Sequence, residues 1–376
     1  MMESLSLESL VTEDGRLRLS VASVEAPQPG PEEVLVRVEA TPINPTDLTV
    51  LLASADISTL RAVGGGDRPA VTADIPERAF KRHRGRIGRP MVAGYEGAGT
   101  VIDAGASRAA RALLGKTVSM TGGEMFRQHR CVRAADVMVM ERGTTAREAA
   151  SSIVNPMTVL GFMETLRLEG HTALVHTAAA SNLGQMLNRL CIDEGVGLVN
   201  IVRRPEQVAL LREQGAEYAV DSSAGDFRPR LIEAIAATGA TLAFDAVGGG
   251  RLANTILSCM ERAAARNGPT GHYGTEVFKQ LYIYGRLDLA PTELTAAYGF
   301  AWSVGGWLMG RFLRRTDPER VAELRRKVAA EIKTTFASRY AAEVSFEQAL
   351  NPEAIARYSR LSTGGKYLIN PNAGRP

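Results

Sequence analysis

Apolar and polar positions alternate early in the chain. Residues 15–21 place Leu17, Leu19 and Val21 between polar neighbours, and after the turn-rich 27–33 the valines Val34, Val36 and Val38 share one face. A period of two predicts strands. Asn44-Pro-Thr-Asp47 then reads as a turn, with Thr46 or Asp47 capping a short helix just after it. Residues 53–89 form an excursion of unusual composition, holding Gly64-Gly-Gly66 and a basic run from Arg78 to Arg89. It reads as a long loop with a short helix over Pro76 to His83. Residues 91–101 and 116–120 are again strand-like.

From Thr145 the period changes. Helical patterns cover 146–150 and the segment from Asn155 to Thr165. Short apolar runs at 173–176, 197–202, 218–220 and 241–245 then alternate with helical stretches at 183–194, 205–214 and 227–237. Strands alternating with helices of this length predict an α/β region built on a doubly wound parallel sheet. Beyond it lie a helix at 252–262, a loop over 263–280, a strand near Leu281 and a charged helix from Pro318 to Phe336. A helical stretch over 346–359 and a closing strand within 363–369 complete the chain. The apolar stretch from Tyr298 to Gly310 is broken by glycines and is too short to span a bilayer, so it reads as core.

Composition narrows the class. The chain has 376 residues, 45% hydrophobic and 23% charged, which suits folded domains with sizeable cores. Its 44 Lys plus Arg against 41 Asp plus Glu leave a net charge of +3, too balanced for a dedicated nucleic-acid binder. Cys131, Cys191 and Cys259 are far apart and odd in number, which argues against both a disulfide framework and a cysteine-rich zinc cluster. No basic segment followed by an apolar run opens the chain, and a cytoplasmic protein is expected.

The candidate chemistry sits at the end of the first parallel strand. The run from Ala173 to His176 leads into Thr177-Ala-Ala-Ala-Ser-Asn-Leu-Gly184 and then a helix. A dinucleotide-binding fold places its phosphate turn there, using small residues and a helix N-terminus to receive the pyrophosphate. The three fingerprint positions are Ala179, Ser181 and Gly184, and only the last is glycine. The second strand ends in Val202-Arg203-Arg204 where an NAD site would carry an acid. Two guanidiniums suit a 2′-phosphate and point to NADPH.

These features together resemble the medium-chain dehydrogenase/reductase superfamily, and within it the zinc-free quinone oxidoreductase branch of zeta-crystallin type. Residues 29–38 resemble the opening of the family's GroES-like catalytic domain. Asn44-Pro-Thr-Asp47 matches its N-x-x-D turn, and Gly94-Tyr-Glu-Gly-Ala-Gly-Thr-Val101 matches its G-x-E-x-x-G-x-V segment. Asn155-Pro-Met-Thr158, the phosphate turn, Asp245-Ala-Val-Gly and the closing Gly-Gly-Lys366-Tyr-Leu-Ile fit as well. The resemblance implies a discontinuous GroES-like domain, residues 1–144 and 311–376, around a Rossmann dinucleotide-binding domain, residues 145–310. It also implies a cleft between them and a homodimer. The zinc-ligating Cys and His of metal-dependent relatives are replaced in the 44–47 turn and at Tyr95, so no metal is expected.

By the same resemblance, Asn44 and Thr158 lie near the nicotinamide, and Ala179, Ser181, Asn182, Leu183 and Gly184 cradle the pyrophosphate. Arg203 and Arg204 take the 2′-phosphate, Val247, Tyr284 and Gly285 line the adenine and nicotinamide edges, and Lys366 closes the cofactor from the tail. The expected reaction is hydride transfer to a quinone or enone. Enoyl-thioester reductases of the superfamily carry a Tyr shortly after the N-terminal turn; none stands between Asn44 and Gly94, and Tyr95 is the candidate substitute, with simple packing beside the cleft as its alternative role. Two alternatives stay open: an enoyl-thioester or acryloyl-type reductase, and a catalytically idle NADPH-binding protein. His176 reads as a buried, hydrogen-bonded residue rather than a base.

Overall fold

The structure is a computed structural model and describes residues 2–63, 69–360 and 363–374. Backbone contacts divide the chain into two compact units, Met1–Val154 with Arg325–Pro376, and Asn155–Leu324. These bounds lie further along the chain than 144 and 310. No helix among the described residues is long and apolar enough to cross a membrane.

The first unit is β-rich. A five-stranded antiparallel sheet runs in the order Arg61–Val63, Ala70–Asp74, Arg16–Glu25, Glu3–Val11, Met91–Val92. A second sheet centres on Glu33–Pro42, where Val34, Val36 and Val38 are fully buried against Val101, Val118 and Met120. Glu33–Pro42 pairs with Glu96–Ala104 on one side, and its end at Thr41 and Pro42 pairs with the tail strand Tyr367–Ile369. The C-terminal tail is thus a structural part of the N-terminal sheet.

Several local readings need correction. The cap of the helix Pro45–Leu52 is Asn44, not Thr46 or Asp47, because Asp47 turns back to accept the Asn44 N–H. The 53–89 excursion is not a plain loop: Ala70–Asp74 pairs with Arg16–Ser20 and carries Arg61–Val63 on its other edge. Its Gly64–Gly66 run lies outside the described residues. Within the basic run, Arg86 points inward to the Val50 carbonyl and the Ser9 hydroxyl, satisfying buried acceptors instead of facing an anion. The 263–280 loop is also shorter, since the helix Leu252–Asn267 runs on and the strand Lys279–Ile283 starts early.

The second unit is a six-stranded parallel sheet in the order Tyr218–Asp221, Gly197–Val202, Ala173–His176, Leu242–Asp245, Lys279–Ile283, Trp302–Gly306. Numbered along the chain, that is 3-2-1-4-5-6, the Rossmann order. The central strands Ala173–His176 and Leu242–Asp245 are buried at every position, so their apolar residues run nearly unbroken. Val175, Val199 and Ala243 pack with Leu231 and Ile235 of one helix and Ile256 and Met260 of the next. On the opposite face, Phe244 stacks on Phe162 of the helix Val154–Leu168 at 3.8 Å between ring centroids. Such a pair contributes about 0.5–1.5 kcal/mol beyond its buried area. The helix Asn182–Asp193 buries Leu183, Met186, Leu187, Leu190 and Cys191, the side its 3.6-residue spacing predicts.

Candidate functional site

Strand order in the parallel sheet reverses between Ala173–His176 and Leu242–Asp245, and ligands of open α/β sheets bind outside the strand ends at such a point. Here the two strand ends are tied together. The Thr177 hydroxyl donates to Asp245 Oδ1 at 2.7 Å and accepts the Ala246 N–H at 2.8 Å. The fully buried Asp245 carboxylate also accepts the Val247 and Gly248 N–H groups. Thr177 was absent from the candidate residues; a threonine after a strand has no signature until its partner, 68 residues on, is known.

The turn from Thr177 to Gly184 joins the first parallel strand to the helix Asn182–Asp193. Ala178 takes the left-handed conformation, φ 51°, that glycine adopts most readily. Ala179 is buried, with its N–H on the Ile201 carbonyl. Ser181 caps the helix Asn182–Asp193 by accepting the Gly184 N–H at 3.1 Å, and Asn182 and Leu183 form the helix's first turn. Gly184 is needed: a Cβ there would stand 2.2 Å from the Ala179 carbonyl oxygen. The turn therefore combines small residues with the N-terminus of a twelve-residue helix.

Arg203 and Arg204 are exposed at the end of the second strand, and no carboxylate pairs with either among the described residues. Val247 follows Asp245 at the switch point. Gly285 permits close approach of the fifth strand's end, since a Cβ would lie 2.6 Å from the Ala246 carbonyl oxygen. Tyr284 turns its hydroxyl inward, 2.8 Å from His176 Nε2, so only its ring is left to line a ligand. Burial pushes the His176 pKa down to about 3 and the ring stays neutral. Thr158 is buried on the helix Val154–Leu168.

The first unit holds a second constellation, built on two carboxylates. The Asp47 carboxylate accepts the Asn44 N–H at 2.8 Å and the Tyr95 N–H at 2.7 Å. Desolvation raises its pKa to about 6, against the lowering effect of those two hydrogen bonds. Glu96, 1% exposed, accepts from Asn44 Nδ2 at 3.0 Å and from the N–H groups of Ile153 and Val154. Lys366 Nζ donates to Ser151 Oγ at 2.8 Å, and the Tyr340 hydroxyl donates to the same oxygen at 2.9 Å. Burial pushes the Lys366 pKa down, partly offset by Glu96 and Asp47. The Tyr95 ring, by contrast, is 42% exposed and its hydroxyl has no hydrogen bond among the described residues. Ser151 and Tyr340 were not candidates, because nothing in their neighbourhoods marks them.

Among the described residues no group of three or more His, Cys, Asp or Glu converges as a metal site. The donors at the 44–47 turn are Asn44 and the carboxylates Asp47 and Glu96. Their oxygens and nitrogens are engaged with backbone groups and with each other.

No family model matches the chain. The synaptic vesicle membrane protein VAT-1 homolog of Rattus norvegicus is 25% identical over 237 residues, 62% of this chain and 51% of the relative. The mitochondrial enoyl-[acyl-carrier-protein] reductase of Xenopus tropicalis is 28% identical over 211 residues, 54% of this chain and 51% of the relative. The matched region thus spans about half the length of these curated relatives. Among solved structures, a protein of Mesorhizobium loti assigned as an NADPH:quinone reductase superposes with a TM-score of 0.72 at 25% identity, covering 98% of each chain. Two units, a reversing parallel sheet with its small-residue turn, and a β-rich unit completed by the tail give this chain the fold of the medium-chain dehydrogenase/reductase superfamily, as its motifs resemble.

Proposed function

We propose that the chain is an NADPH-dependent oxidoreductase that transfers hydride to a quinone or conjugated carbonyl without zinc. The observation that carries this reading is the switch point. A helix N-terminus, a turn too tight for a Cβ at Gly184, and two guanidiniums at the neighbouring strand end with no carboxylate partner among the described residues occur in one unit. Each part suits a different piece of NADPH: pyrophosphate on the turn from Ala179 to Gly184, 2′-phosphate on Arg203 and Arg204. Within the second unit, Thr158 is assigned to the nicotinamide end, and Val247, Gly285 and the ring of Tyr284 to its edges. Bound NADPH supplies a hydride. The protein's share is to hold donor and acceptor about 3–3.5 Å apart and to exclude water.

With no Cys or His at the 44–47 turn or at position 95, the suited acceptors are those that carry negative charge well after hydride addition. Quinones and enones do so. Enoyl thioesters do too, and the match to an enoyl-[acyl-carrier-protein] reductase favours them as a second reading. The inward turn of Arg86 removes one cation from the basic run that would have met a coenzyme A phosphate.

Titration of nicotinamide fluorescence tests the cofactor. NADPH is expected to bind at least about tenfold more tightly than NADH, because each charge-assisted bond contributes about 1.5–3 kcal/mol. Replacing Arg203 and Arg204 together by Ser should erase that preference and leave NADH affinity unchanged. Equal binding of both nucleotides by the parent chain would remove the 2′-phosphate roles. Binding without turnover of benzoquinone, an enone or a crotonyl thioester would favour an idle binding protein.

A further inference from the structure

We propose that Lys366, Ser151 and Tyr340 form the proton supply of the reductase, with Lys366 as the donor and the two hydroxyls as its relay. The inference rests on the reductase reading. Hydride addition to a quinone or conjugated carbonyl leaves an anion that must gain one proton. The phenol of Tyr95, the candidate for that role, is 42% exposed and its hydroxyl has no hydrogen bond among the described residues.

The tail lysine is placed differently from a lysine that merely balances charge. Lys279 shows that arrangement: its Nζ is fully buried and lies 2.6 Å from Glu261 Oε2, with the Val277 carbonyl at 2.8 Å. Lys366 also sits in the field of two carboxylates, Asp47 and Glu96, yet hydrogen-bonds neither. Both acids are committed elsewhere, Asp47 to the Asn44 and Tyr95 N–H groups, Glu96 to Asn44, Ile153 and Val154. An ammonium has three donors, and this one has a single protein partner among the described residues, the Ser151 hydroxyl. The carboxylates favour the charged form, desolvation opposes it, and two N–H groups are left for an acceptor oxygen.

Ser151 is fully buried, and its oxygen is shared by Lys366 and Tyr340. Arg147 lies over the Tyr340 ring, 5.5 Å from its centre, and pairs with Glu343 at 3.2 Å; Ser338 also hydrogen-bonds Tyr340. These, with Asp47 and Glu96, are the charged and polar groups facing the relay among the described residues. The proton balance closes. One Nζ–H bond of Lys366 breaks as an O–H or C–H bond forms on the reduced acceptor. The neutral amine takes the Ser151 hydroxyl proton, Ser151 takes that of Tyr340, and water restores the half-buried phenol.

The test uses the purified full chain with NADPH and benzoquinone, and variants Lys366→Met, Lys366→Arg, Ser151→Ala and Tyr340→Phe. Both Lys366 variants should lose kcat by about a hundredfold or more, the low end of general acid catalysis, while fluorescence-measured NADPH affinity changes by less than about threefold. Arginine keeps the charge but does not release a proton, so its failure to rescue is the decisive readout. In the parent enzyme kcat should fall as pH rises through the lowered Lys366 pKa, and that limb should vanish in Lys366→Met. Tyr340→Phe and Ser151→Ala should each lose about tenfold in kcat and reduce the solvent isotope effect. Observation of Lys366 by 13Cε-lysine NMR should show titration below the ordinary lysine range, shifted by Ser151→Ala. Full activity of Lys366→Arg would overturn the donor role, as would parallel loss of NADPH affinity with unchanged saturated kcat, the mark of a cofactor clamp. NADPH binding with no turnover of any acceptor by the parent chain would instead overturn the reductase reading, and the proton supply with it.

Discussion

Two positions of the 177–184 segment, six residues apart, carry opposite constraints. Ala178 sits at φ 51°, where a Cβ is strained, while Gly184 has no room for one beside the Ala179 carbonyl. Ala178→Gly should stabilise the chain by about 0.5–1 kcal/mol, the relief of left-handed strain less glycine's extra unfolded entropy. Gly184→Ala should cost about 1–3 kcal/mol by overpacking and should weaken NADPH binding. Urea unfolding and nucleotide titration of both variants check the pair. The position of Gly184 was legible in the sequence because the fingerprint's last glycine survives. The strain at Ala178 was not, since alanine is a poor residue for that conformation and no propensity points to it.

Among elements, the strand Lys279–Ile283 shows where local reading stops. Its first residue, Lys279, falls in the 263–280 loop by sequence, yet it is fully buried against Glu261 of the preceding helix, which also holds Thr275 through its N–H and hydroxyl. The glutamate thereby anchors the 268–278 connection. Lys279→Met should destabilise the chain by about 3–5 kcal/mol, because it leaves a largely buried carboxylate without its cation. Replacing Lys279 and Glu261 together by Met and Leu should recover much of that loss. Chemical denaturation of the single and double variants measures the difference. A similar limit applies to the 53–89 segment: Ala70–Asp74 is a strand because Arg16–Ser20 lies beside it, not because its own five residues demand it. Periodicity identifies an element that buries one face, but pairing between distant segments has no local mark.

For the molecule as a whole, two buried groups give opposite responses to pH. Asp47 binds its proton more tightly in the folded protein, with a pKa near 6 against an ordinary 3.8. Its contribution is therefore full below about pH 4 and lost as pH rises through 6, on the order of 3 kcal/mol at 1.36 kcal/mol per unit. His176 behaves in reverse. With a folded pKa near 3 against 6.5, it favours the fold above about pH 6.5 and loses that contribution as pH falls toward 3, by on the order of 4–5 kcal/mol. Relative to the parent, Asp47→Asn should gain stability as pH rises from 4 to 7. The pair His176→Leu with Tyr284→Phe should gain as pH falls over the same range. Thermal unfolding across pH tests both, and a pH-independent difference for either variant would remove its assignment.

The alternation of short apolar runs with amphipathic helices was enough to establish the parallel sheet, and the small-residue run from Thr177 to Gly184 marked the passage from its first strand into a helix. Such features arise from backbone periods of 2 and 3.6 and from turn sterics, which act within a few residues. The polar constellation of the first unit is of another kind. Lys366 meets Ser151 across 215 residues, and Tyr340 meets it across 189, because the tail strand Tyr367–Ile369 pairs with Glu33–Pro42. The order in which distant strands join a sheet is set by the burial of all of them at once. Until that joining occurs, a serine, a tyrosine and a lysine of unremarkable local context share no chemistry.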